Sequence, residues 1–104
     1  MSSAYFEGKI AKCDEVINKI SNLYGSIDGI KNQVTSCQEI LSNNKLSGSS
    51  IGVNEINNIF ETLESVRLAL NTVVAACIVK KEDFTRLRDE AFARETAELA
   101  KENI

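Results

Sequence analysis

Apolar residues recur along this chain at alternating three- and four-residue steps in two runs, one on each side of a Gly/Ser/Asn-rich break. The first run is Phe6, Ile10, Cys13, Ile17, Ile20, Tyr24 and Ile27; the second is Ile56, Ile59, Leu63, Val66, Leu70, Val73, Cys77, Phe84, Leu87 and Ala91. A helix gathers such positions into one stripe, and a stripe of this spacing is a seam for another helix. The pattern predicts an all-α chain, an antiparallel two-helix hairpin in a single domain over 1–104. The turn falls at 42–50, and a charged helical tail covers about 94–104.

The first helix should begin at Ser2 or Ser3, where a serine caps and Glu7 places negative charge in an early turn, and end near Ser42. Gly25 and Gly29 weaken its middle. The apolar phase also slips there, from Ile27 to Ile30 before Val34, Cys37 and Leu41, which predicts a bend or a close helix contact at the glycines. Ser42 to Ser50 is turn chemistry throughout. The second helix should start between Ser50 and Val53, with a serine or Gly52 at its cap and Glu55 in the first turn, and run on through the charged Lys80–Asp83 stretch to Ala91. Reflection about Ser47 pairs residues whose numbers sum to about 94, bringing Ile10 to Phe84, Ile17 to Cys77, Tyr24 to Leu70 and Val34 to Phe60.

A single seam leaves apolar residues over. Val16, Leu23 and Ile30 form a second line on the first helix, and Phe60, Val74 and Ile78 widen the stripe on the second. These six are the candidate partner interface, and two such hairpins would cover them as a four-helix bundle. The competing architecture bends the chain at Gly25–Gly29 into a compact three- or four-helix bundle.

Composition narrows the function classes. A net charge of −3 on 104 residues supplies no basic face for nucleic acid. Histidine is absent, and the chain has no Gly-rich phosphate loop, no nucleophile elbow and no closely spaced cysteine pair. No catalytic residue, metal site or cofactor is therefore assigned, and an enzyme is not expected. Cys13, Cys37 and Cys77 read as small buried hydrophobes. A Cys13–Cys77 bridge sits about four residues, or roughly 6 Å, off level in the expected register. The apolar stretch Leu68–Val79 contains Asn71 and ends at Lys80 and Lys81, so it reads as the buried part of a helix and not a membrane span. The N-terminus lacks the pattern of a cleaved signal peptide.

Two long amphipathic helices, a turn holding Leu46-Ser47-Gly48 and a charged helical tail resemble the WXG-type helical hairpins and the LXG-associated α-helical proteins of Gram-positive type VII secretion. In that resemblance Leu46 stands at the tryptophan position and Gly48 at the glycine. The family's export motif places an acid four residues after an aromatic. Here Phe84 has Arg88 at that offset with Asp89 one further on, and Phe92 has Thr96. The resemblance implies a non-enzymatic partner that binds the helical N-terminal region of a larger LXG-type toxin, or a WXG-like small protein. Phe84, Asp89 and Phe92 would then contribute to a composite export signal for secretion through the type VII pathway. The rival expectation is a homodimeric cytoplasmic coiled-coil adaptor, followed by a membrane-active helix pair built on Leu68–Val79.

Overall fold

The computed structural model describes residues 1–43 and 52–102, except the side chains of 42 and 43. These residues form two helices, α1 (Ser3–Asn43) and α2 (Val53–Glu102), with no strand among them. This all-helical order is consistent with a helical hairpin. The turn motif residues Leu46 and Gly48 lie outside the described residues.

Both helix starts follow from local chemistry. The Ser2 carbonyl accepts the Tyr5 and Phe6 amides, and the Ser2 hydroxyl accepts the Tyr5 amide as well, so Ser2 is the cap of α1. Gly52 opens α2 with φ at 88°, a left-handed conformation that a side chain disfavours, and its carbonyl accepts the Ile56 amide at 2.9 Å.

Helix α1 passes unbroken through Gly25 and Gly29, and a Cβ at either glycine would meet no atom within 4 Å. Neither the close contact expected there nor the refolding into a compact bundle occurs. Each exposed glycine costs only about 1 kcal/mol, which is too little to interrupt a helix held by packing along its length.

The expected phase slip is also absent. Lys31, half-buried, takes the next seam position after Ile27, while Ile30 and Cys37 are exposed. The seam of α1 therefore keeps its four–three rhythm through Tyr24, Ile27, Lys31 and Val34. On α2 the seam is made by the buried and half-buried Ile56, Phe60, Leu63, Arg67, Leu70, Val74, Cys77, Lys81, Phe84, Arg88 and Ala91, with Thr85, Leu87 and Glu95 also half-buried. Ile59, Val66 and Val73, expected in this seam, are exposed instead. Hydrophobicity alone favours them, but the long stems of Arg67 and Lys81 fill seam positions while their charged ends reach acids beside the seam.

Contacts divide the chain into two compact units, Ile20–Thr72 and the pairing of Met1–Lys19 with Val73–Ile104. Ile20, Ile27 and Ile56 are buried in the first of these, where Tyr24 donates to Asn71, Arg67 pairs with Asp28 and Lys31 stands 3.6 Å from Glu64. In the other unit Phe6 and Ala91 are buried, the Phe6 and Phe84 rings lie 6.5 Å apart, and Lys81 pairs with Asp14 at 2.7 Å. In both units the residue numbers of the ion pairs sum to about 95, within one residue of the antiparallel register read from the sequence.

Candidate partner-binding face

The two flanks of the seam differ in chemistry. Positions one residue after a seam residue carry the cross-helix polar contacts: Asp14 and Asp28 on α1, Glu64 and Asn71 on α2. Positions one residue before a seam residue carry Val16, Leu23 and Ile30 on α1 and Ile59, Val66 and Val73 on α2, all of them exposed. In an antiparallel pair the two preceding positions lie on the same side, as do the two following positions. Unit Ile20–Thr72 thus has a polar side crossed by ion pairs and a hydrogen bond and an apolar side crossed by none of the ion pairs described, whereas in the other unit the preceding positions carry Lys9, Lys12, Lys80, Asp83 and Glu90 beside Val16 and Val73.

Unit Ile20–Thr72 shows the contrast best. Leu23, Ile30, Ile59 and Val66 are 48, 44, 41 and 43 % exposed. Exposure at that level leaves roughly half of each side chain to be covered, and burying a whole residue of this type is worth about 1.5–3 kcal/mol. A shallow hollow of about 210 Å³, lined by Asn58, Ile59, Thr62 and Leu63, lies beside this surface.

The candidate interface residues separate accordingly. Leu23 and Ile30 lie on the apolar side of unit Ile20–Thr72, and Val16, in the other unit, is exposed at the equivalent heptad position. Phe60 and Val74 are half-buried at seam positions, so they are not the outer line expected of them. Ile78 is exposed, but it shares its heptad position with Glu64 and Asn71 on the polar side. Ile59, Val66 and Val73, read from the sequence as seam residues, are the ones that complete the outer line. The signal that identifies them is the pairing of Arg67 and Lys81 with acids at antiparallel-matched positions, which places those two basic residues in the seam.

The candidate export residues divide too. Phe84 is half-buried against Phe6, Asp89 is exposed with its carboxylate on Arg88, and Phe92 is 63 % exposed. Phe92 follows the same seven-residue step as Ile78 and Leu99, on the polar side of α2.

One electrostatic contact stands out at the start of α1. The Ser3 amide and hydroxyl donate to the two carboxylate oxygens of Glu95 at 2.9 and 2.7 Å. These two hydrogen bonds, the amide first, hold the Glu95 carboxyl below the ordinary glutamate range. The same carboxylate meets the positive end of the α1 dipole.

All three cysteines are free, Cys13 and Cys77 half-buried and Cys37 exposed. Among the described residues no three His, Cys, Asp or Glu side chains are grouped to hold a metal ion. Helix α2 includes a stretch of mean hydropathy 1.5 that is apolar and long enough to cross a membrane by length and composition alone, longer than the run Leu68–Val79 suggests. No protein-family model, curated protein or solved structure matches this chain.

Proposed function

We propose that this chain is a non-enzymatic helical partner protein of a type VII secretion system. Its apolar side binds the helical N-terminal region of a larger LXG-type toxin, or a WXG-like small protein, closing a four-helix bundle that is exported. The observation that carries the reading is the sidedness of the helix pair. Ion pairs close one flank of the seam, while Leu23, Ile30, Ile59 and Val66 stand uncovered on the other. A helical surface of complementary shape is the occupant that buries such a stripe with its own backbone already satisfied. The partner class comes from the resemblance carried by the two helices and the Leu46-Ser47-Gly48 sequence.

Co-expression with the helical N-terminal region of an LXG-type toxin encoded beside the gene tests this directly. A stoichiometric complex is expected, lost in Leu23→Asp/Val66→Asp and kept in Ile78→Asp. Appearance of the complex in the medium of cells with an active type VII system supports export. Retention of the protein inside such cells would instead favour the cytoplasmic adaptor.

A further inference from the structure

Two cations at seam positions of α2 reach acids that directly follow seam residues of α1, Arg67 to Asp28 and Lys81 to Asp14. The next cation of this kind is Arg88, seven residues after Lys81, and the antiparallel register puts Glu7, seven residues before Asp14, opposite it. Lys81, Asp14, Arg88 and Glu7 all belong to the unit formed by Met1–Lys19 and Val73–Ile104. This third rung is not made. Arg88 instead donates through Nε and Nη2 to one carboxylate oxygen of its neighbour Asp89, at 3.2 and 3.1 Å. Among the described residues Glu7 forms no ion pair. A hollow of about 220 Å³, lined by Glu7, Ile10, Ala11, Asp14 and Arg88, opens where the rung would be.

We infer that Arg88 is an arm with two positions. Parked on Asp89 it leaves the hollow open; swung across the seam to Glu7 it fills the hollow and sets the Asp89 carboxylate free. The parked pair is a poor one, because adjacent helical residues point about 100° apart and both N–H groups converge on a single oxygen, without the parallel two-oxygen geometry that makes an arginine–carboxylate pair strong. The crossed pair is within reach. Lys81, at the equivalent seam position, already spans the same step to Asp14 at 2.7 Å. Glu7 and Asp89 are both exposed, so neither pairing carries a large desolvation cost and the two positions lie close in energy. A small bias therefore moves the arm: a cationic side chain of another protein that takes Asp89 draws Arg88 onto Glu7 and adds a rung to the helix pair. The device does not depend on which molecule covers the apolar side of the other unit.

Carboxyl labelling of the full-length chain with carbodiimide and glycinamide, followed by peptide mapping, reads the arm, because a carboxylate held by a guanidinium reacts more slowly than a free one. Asp89→Asn should send Arg88 to Glu7 and slow labelling at Glu7 about twofold, as two positions of similar population imply. Glu7→Gln should hold Arg88 on Asp89 and slow labelling there to the same degree. Arg88→Gln should speed labelling at both. Asp14, held by Lys81, should keep its wild-type rate in all three variants, which shows the helix pair intact.

A Glu7 rate indifferent to Asp89→Asn, or an Asp89 rate indifferent to Glu7→Gln, overturns the inference. So does a change at Asp14 as large as that at Glu7, because the substitutions would then loosen the helix pair and not move one side chain.

Discussion

Arg67 on α2 reaches across the seam to the carboxylate of Asp28 on α1 while its guanidinium lies 5.4 Å from the centre of the Tyr24 ring. Tyr24 in turn donates to Asn71. A charged residue therefore occupies a seam position with its apolar stem inward and its charge satisfied beside the seam. Polar groups at such positions favour one register and orientation at some cost in stability. A double-mutant cycle on Asp28→Ala and Arg67→Ala, read by chemical denaturation, should give a coupling of about 0.5 kcal/mol, since both groups keep solvent access. Arg67→Leu should leave stability unchanged or raise it while loosening the choice of register, seen as mixed oligomers in sedimentation.

The mid-helix glycines give a test of opposite sign to that of the capping glycine. Gly25→Ala and Gly29→Ala place a methyl in open space and should each stabilise the fold by about 0.5–1 kcal/mol. Gly52→Ala forces a side chain into left-handed backbone and should destabilise by about 1 kcal/mol. Thermal melts followed by circular dichroism would resolve both.

Glu95 links stability to pH. Its folded pKa lies below the unfolded value of about 4.5, because the Ser3 amide and hydroxyl bind the charged form. The carboxylate's contribution is fully present above that unfolded value and is lost as pH falls through the lowered one. Wild type should melt above Glu95→Gln at pH 7, and the gap should close in acid. A gap that persists unchanged at pH 3 would show that the charged form of Glu95 is not what holds Ser3.

The two phenylalanines proposed for export differ in what their loss does to the fold. Phe84 packs near Phe6, so Phe84→Ala should cost about 2 kcal/mol. Phe92, largely exposed, should cost no more than about 0.5 kcal/mol on truncation. An export defect in Phe92→Ala at unchanged melting temperature would report recognition, and the same defect in Phe84→Ala would not.

Much of the fold was legible because period alone specifies a long amphipathic helix, and the spacing of two such helices about a turn specifies their register. Tyr24, Ile27, Phe84 and Ala91 were found this way. The face of α2 was harder to place. Ile59, Val66 and Val73 look like seam residues on hydrophobicity, whereas Arg67 and Lys81 look like surface residues until their pairing with Asp28 and Asp14 is seen. Ile30 misled in the same way on α1, where Lys31 holds the seam. One-residue ambiguities of this kind exchange a core line for a binding line, which is why hydrophobicity alone points to Phe60 and Val74 as interface residues.

The native cysteines report most directly on whether the seam and the apolar side are as described. Cys13 and Cys77 are half-buried at seam positions, and Cys37 is exposed in line with Leu23 and Ile30. Thiol-labelling rates measured with and without the helical partner should be slow and constant for Cys13 and Cys77. Cys37 should label fast in the free chain and slow when the partner covers the apolar side. Equal rates at all three thiols, or a Cys37 rate unchanged by a partner that binds, would contradict the account.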